Sequence, residues 1–285
     1  MEAKKRKLDV VVISDIHLGT FGAQAGELAD YLNSIDIDIL VLNGDIIDIW
    51  QFNKRYFPNS HMAVIRAIFT KLSKGTKVHY ITGNHDEMLR KFNGFSLGDF
   101  TIQNKIVLNL PTGKAWIFHG DVFDTSMKQS KWIVKLGGFG YDLLIRINSI
   151  VNWCSERMGR GRVSLSKKVK DSVKGVISYI NNFEETVAEI AISKGYEYVI
   201  CGHIHQPTIQ EMTTKDGRVH YLNSGDWIEN RTALEYVDGT WTLYTHQEKK
   251  TKREQKPDEK NHLDYDHLYN DVILDNSYSL NFVEL

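Results

Sequence analysis

The sequence predicts an α/β fold, and three observations carry the prediction. Short runs rich in Val and Ile recur at residues 10–13, 37–42 and 78–81. Continuous apolar runs of that length suit strands buried on both faces. Stretches with helical spacing lie between them, around residues 26–33 and 61–72, so the order is strand, helix, strand, helix, strand. That alternation implies βαβ units and a parallel sheet. Each run also ends abruptly in polar residues, and functional groups of such sheets gather just past the carboxyl ends of the strands.

The later elements follow in order. Residues 105–110 and 114–118 flank Pro111-Thr112-Gly113 and predict a hairpin. Residues 197–246 again alternate strands with turns, where Asp216-Gly217 and Asp238-Gly239 mark two further hairpins. Between residues 118 and 198 the strand pattern is interrupted by a mostly helical insertion, residues 125–182. Residues 247–285 open with a dense run of charges and carry few aliphatics before Val272, so this tail is expected to be largely disordered. The chain thus reads as one domain over residues 1–246, including the insertion, followed by the tail. It contains no internal repeat.

Composition narrows the function classes. Of 285 residues, 42% are hydrophobic and 25% charged, which excludes a fibrous or wholly disordered chain. Two cysteines cannot build a disulfide framework, so a reducing, cytoplasmic setting is expected. A net charge of -1 provides no global field for nucleic acid, and no nucleic-acid partner is expected. No apolar run reaches the ~18 residues of a membrane span. The basic start, Lys4 to Lys7, reads as a solvated tail leading into the first strand, with a weak anchor for an anionic membrane surface as the alternative.

Five polar blocks carry chemistry, each directly after a predicted strand. They are Asp15-Ile16-His17, Gly44-Asp45-Ile46-Ile47-Asp48, Gly83-Asn84-His85-Asp86, His119-Gly120-Asp121 and Gly202-His203-Ile204-His205. Aspartate, an asparagine oxygen and neutral imidazole together suit borderline divalent metals such as manganese, iron, cobalt or zinc. Asp-x-His and His-x-His place alternate side chains on one face of an extended segment, so both can enter one cavity. Glycine before Asp45, Asn84 and His203 is expected to permit the sharp reversals that aim the donors. Taken singly, each block has an ordinary reading as a solvated or capped loop. Their joint occurrence at five strand ends points to a metal centre.

These blocks, in this order, resemble the calcineurin-like metallophosphoesterase superfamily over roughly residues 8–246. The resemblance implies a four-layer αββα sandwich of two mixed sheets with a helical cap insertion. It also implies a two-metal hydrolytic site, with Mn2+ foremost and Fe, Co or Zn as alternatives. Carried over by position, Asp15, His17, Asp45 and His205 would hold one metal, and Asp45, Asn84, His119 and His203 the other, with Asp45 bridging. His85 would sit beside the scissile phosphate as acid or charge stabiliser, oriented by Asp48. Within the superfamily the pattern is most similar to the UDP-2,3-diacylglucosamine pyrophosphatases of lipid A synthesis. The best-known branch has arginine at the place of His85 and glutamate at that of Asp48, so this chain looks like a sister branch. The implied reaction releases UMP and the acylated sugar 1-phosphate. The alternatives are a nuclease or cyclic-nucleotide phosphodiesterase of the same superfamily, or a non-catalytic interaction module.

Residues 125–180 hold eleven basic and three acidic side chains, a local charge of +8 in a nearly neutral protein. The same stretch carries apolar residues at three-and-four spacing, including Trp132, Leu136, Phe139, Leu143 and Ile147. Two readings stand open: a helical hairpin with a solvated basic face, or a cap that receives acyl chains and meets phosphates or anionic lipid at the membrane surface. Under the second, Ser164, Ser166, Lys167, Lys168, Lys170 and Lys174 are the candidate contacts to a nucleotide-linked lipid substrate. The Asn223-Ser224-Gly225-Asp226-Trp227 block receives no role at this stage.

Overall fold

The computed structural model describes residues 5–49, 56–123 and 166–247. β1 (Arg6–Ile13), α1 (Ala25–Ser34), β2 (Ile35–Asn43), α2 (Asn59–Ser73) and β3 (Lys77–Ile81) appear in the expected order. A 3-10 turn at Glu87–Phe92 leads into β4 (Ser96–Leu97), β5 (Phe100–Gln103), β6 (Lys105–Leu110) and β7 (Gly113–Phe118). A long helix, α3 (Ser166–Ser193), precedes β8 (Tyr198–Cys201), β9 (Thr208–Thr214), β10 (Gly217–Asn223), β11 (Thr232–Val237) and β12 (Thr240–Thr245).

The strands form two mixed sheets. The first has the order β12-β11-β1-β2-β3-β5-β4, with β1, β2, β3 and β5 parallel and the outer strands antiparallel. The second runs β6-β7-β8-β10-β9, with β7, β8 and β10 parallel. Both expected Asp-Gly hairpins form, joining β9 to β10 and β11 to β12.

Three apolar clusters define the layers. Leu28, Leu32, Val64 and Ile68 of α1 and α2 pack with Val11, Ile13, Leu40 and Val78 on the outer face of the first sheet. Val10, Val12, Val41 and Leu234 of that sheet meet Leu108, Ile117, Ile200 and Leu222 of the second. On the far side, Phe183, Val187, Ala188 and Ala191 of α3 cover Val199, Val219 and Tyr221. Helix, sheet, sheet, helix gives the four-layer sandwich. Residues such as Val11 and Val12 serve opposite faces of one strand, which is why their run is unbroken rather than alternating.

Two features differ from expectation. β4 and β5 carry no distinct sequence signal, yet β5 extends the parallel run beside β3. α3 continues past residue 182 to Ser193, because its apolar residues at three-and-four spacing form an outer layer of the sandwich. Residues 125–165 of the insertion and 248–285 of the tail lie outside the described residues. Among the described residues no helix is long and apolar enough to cross a membrane.

Candidate metal centre

The loops after β1, β2, β3, β7 and β8 meet at one rim, tied together by hydrogen bonds from backbone N–H groups and, between the third and fourth, by the Arg90 side chain. Asp15 N–H donates to the Gly44 carbonyl (3.0 Å), while Ile16 and His17 N–H both donate to Asp45 O (3.0 and 2.9 Å). His85 N–H donates to Asp45 Oδ1 (2.8 Å), and Gly202 N–H to His119 O (2.9 Å). His203 N–H closes the ring on Asp15 Oδ2 (3.0 Å). The carboxylates of Asp15 and Asp45 therefore act as acceptors that fix neighbouring loops.

Two trios of donors result. Asp15, His17 and His205 bring one ligand atom each within 4.8 Å of the others, and so do Asp45, His119 and His203. His205 Nε2 stands 3.1 Å from Asp15 Oδ1, and His119 Nε2 stands 3.3 Å from Asp45 Oδ2. Asn84 lies between Gly83, which abuts Asp45, and His85, whose N–H holds Asp45 Oδ1. A third group, His17, Asp48 and His85, adjoins the first trio. Asp48 Oδ2 contacts His85 Nδ1 at 2.9 Å and His17 Nδ1 at 3.3 Å. Asp48 thus supports the first trio as well as His85, a sharing the sequence reading did not anticipate.

The donor set suits divalent cations. His119 Nδ1 is 2.8 Å from the Asn43 carbonyl, which can only accept, so Nδ1 donates there and Nε2 is the nitrogen turned toward Asp45. That Nε2 and the Nε2 of His17 are buried with no hydrogen-bond partner among the described residues. Buried polar atoms left this way are costly, and a metal ligand whose other ring nitrogen is tied down has this appearance.

Electrostatics agrees. Burial opposes ionisation of Asp15, yet facing His205, His119 and His17 hold its carboxyl far below the usual range. Burial likewise opposes ionisation of Asp45, but His119 brings it down to about 2. Burial would lower His205 and His119, and the carboxylates overcome it: His205 rises to about 9 and His119 also rises. Carboxylates that keep protons on buried imidazoles are positioned to exchange them for a cation.

The backbone bears the geometry as strain. Asp15, His17, Asp45, His203 and His205 all adopt positive φ, between 51° and 67°. Left-handed conformations at non-glycine residues are uncommon and gather at functional sites. This corrects the role expected of the preceding glycines. Only Gly44 among the three has positive φ (82°). Gly83 and Gly202 are required by crowding, because an added Cβ would lie 2.2 Å from Asp45 Oδ1 and 2.7 Å from Asp15 Oδ2 respectively. The reversals occur at the donors themselves.

Several supporting residues received no role in the sequence reading. Buried Asp226 accepts the N–H groups of Ile228, Glu229 and Asn230, and its Oδ2 lies 3.8 Å from His205 Nδ1. Asn223 donates to Gly202 O (2.8 Å), and Ser224 Oγ meets Ser14 Oγ (2.7 Å). The block at 223–227 therefore braces the loops carrying Asp15 and His203. Asp86, kept protonated more readily by burial, accepts from Gly83 and Ile46 N–H and from Tyr80 Oη. Arg90 joins Gly83 O and Asp121 (3.3 and 2.5 Å), linking the third and fourth loops. Strand-end position marks most of these, but not Arg90, in the 3-10 turn, nor a further support, His61 of α2, whose Nδ1 accepts Gly19 N–H (3.0 Å).

Of the candidate lipid contacts, Ser164 lies outside the described residues. Ser166, Lys167, Lys168, Lys170 and Lys174 fall on α3, and their side chains lie outside the described set. Cys201 is buried in the cluster beneath α3, and burial pushes its thiol pKa up.

Residues 8–207 match the calcineurin-like phosphoesterase family. The chain is 23% identical to a UDP-2,3-diacylglucosamine hydrolase of Aliivibrio fischeri, over 83% of this chain and 98% of that protein. It is 23% identical to the enzyme of the same name from Aeromonas salmonicida, over 80% and 89%. A dimetal phosphatase structure from Danio rerio aligns over 83% of this chain and 95% of that one, with a TM-score of 0.39 and 11% identity. From the match spanning all five strand-end blocks, the chain belongs to the calcineurin-like phosphoesterase family and is a metal-dependent hydrolase of phosphoric esters or anhydrides.

Proposed function

We propose that the protein hydrolyses the pyrophosphate of UDP-2,3-diacylglucosamine, releasing UMP and 2,3-diacylglucosamine 1-phosphate. The observation that carries this reading is the pair of mutually close donor trios beside the Asp48–His85 pair. Asp15, His17, Asp45 and His205 would hold one divalent ion and Asp45, Asn84, His119 and His203 a second, with Mn2+ the first to test. Ions so held acidify water toward neutrality and neutralise phosphoryl oxygens. His85 is half-buried, and although burial opposes it, Asp48 and Asp45 raise its pKa. With Nδ1 occupied by Asp48, it can donate a proton from Nε2 to the departing oxygen. Strained loops and interlocking backbone bonds keep these groups in place before substrate arrives.

The substrate assignment is supported by relatives of that name aligned along nearly all of their length. The basic, apolar insertion read from the sequence adds to it, as a cap that meets the lipid at the inner membrane face. The test is to incubate the purified protein with Mn2+ and UDP-2,3-diacylglucosamine, cyclic nucleotides or nucleic acid, and identify products by mass spectrometry. UMP from the lipid nucleotide alone is expected. Cleavage confined to cyclic nucleotides or nucleic acid would overturn the substrate. Asp45→Ala and His203→Ala should abolish turnover, whereas His85→Ala should lower kcat and leave bound metal unchanged.

A further inference from the structure

Phe21 has an accessibility of 82%, the highest of the exposed large apolar side chains among the described residues, with Leu97 next at 71%. It lies four residues past His17, one of the candidate donors, and the loop turns back at Thr20. Thr20 donates to the His17 carbonyl through both N–H (3.2 Å) and Oγ (2.9 Å), folding the chain back. The Phe21 ring packs on Tyr56 with centroids 3.8 Å apart and planes inclined by 35°. Tyr56 in turn meets the buried His61 edge to face at 5.8 Å, and His61 holds Gly19 N–H. A continuous set of contacts therefore fixes this aromatic pair to the segment that carries His17. Its outer face is left to water, and leaving an aromatic ring exposed forfeits apolar burial.

We propose that Phe21, backed by Tyr56, is a stacking platform for the planar base of the nucleotide-linked substrate. The inference rests on a nucleotide phosphate lying at the metal centre. A nucleotide holds its base one ribose away from its phosphate, so a base-binding surface must stand beside the donor trios rather than within them. Stacking asks only for a rigid ring with an open face, since every base offers a π-face. Rigidity is supplied from below by Tyr56 and His61. A flexible acyl chain would be better covered by a concave aliphatic groove, whereas the segment around Phe21 reads Gly19-Thr20-Phe21-Gly22-Ala23-Gln24 and offers no large aliphatic side chain.

The experiment is calorimetric titration of the Mn2+-loaded full chain with UMP, with ribose 5-phosphate and with 2,3-diacylglucosamine 1-phosphate. These share a phosphate, but only UMP has a base and only the last has acyl chains. Phe21→Ala should weaken UMP by about tenfold and leave the other two unchanged, while Phe21→Trp should retain UMP affinity. Because the side chain is almost fully exposed, neither variant should shift Tm. Equal weakening of UMP and ribose 5-phosphate, or weakening of the lipid phosphate alone, would overturn the platform. So would unchanged UMP affinity in Phe21→Ala. Failure of the substrate reading is separate: it appears as no UMP released from the lipid nucleotide by the unsubstituted protein, whatever the titrations give.

Discussion

Replacing Gly44 by alanine probes how His119 is held. Gly44 has φ +82°, and an added Cβ would lie 2.3 Å from His119 Nδ1 and 2.4 Å from its Cγ. Ordinary contact begins near 3.4 Å, so the buried imidazole must retreat by roughly 1 Å. The 2.8 Å bond from Nδ1 to the Asn43 carbonyl is then lost, which costs about 1–3 kcal/mol for groups that stay buried. Alanine in the left-handed region adds ~1 kcal/mol. The sum is about 2–4 kcal/mol, or a fall in Tm of roughly 5–10 °C for a chain of this size. Nε2 is carried away from Asp45 and His203 by the same movement, and a shift of that size lowers turnover by about 10²-fold. Thermal unfolding in chelator measures the first effect, and Mn2+ titration with steady-state kinetics the second. An alanine variant with unchanged Tm, metal stoichiometry and kcat would refute the argument that close approach at Gly44 positions His119.

Three other expectations concern different parts of the molecule. His61→Leu leaves Gly19 N–H without its acceptor and should weaken Mn2+ binding by roughly tenfold, while His61→Asn, whose Oδ1 can take the place of Nδ1, should restore most of it; equal effects would reject the positioning role. The pKa of His205 in the metal-free protein is raised from 6.5 to about 9, so its contribution to stability is complete below pH 6.5 and is lost as pH rises through about 9. Mn2+ affinity should change in the opposite sense, tightening between pH 6.5 and 8.5 as protons leave, and calorimetry showing a flat profile would contradict this. Neutralising Lys167, Lys168 and Lys170 together should raise KM for the lipid nucleotide and spare a small aryl phosphodiester; equal loss on both would defeat the cap reading.

The strand ends were legible because the parallel sheet encodes them locally: a buried run of Val and Ile, then glycine and a donor. The hairpins at Asp216-Gly217 and Asp238-Gly239 were legible for a similar reason, since their turns demand those residues. β4 and β5 were not, because two- and four-residue strands bury too little to leave a period. The donors of the candidate site could be named from the blocks, but their supports could not. Asp226 and Asn223 act through bonds to loops some twenty residues earlier, and His61 reaches Gly19 from the second helix. Such links depend on how layers stack, which no run of neighbouring residues records. The purpose of Gly83 and Gly202 was hidden likewise, as the atoms that crowd them belong to distant loops.

Each donor trio draws on both halves of the sandwich. Asp15 and His17 follow β1 and Asp45 follows β2, whereas His119, His203 and His205 hang from β7 and β8. A cation seated in either trio would therefore be a clasp across the mouth of the sandwich, in front of the apolar layer that already joins the two sheets. If the trios hold ions as proposed, their occupancy would add to side-chain packing in joining the two sheets at this end.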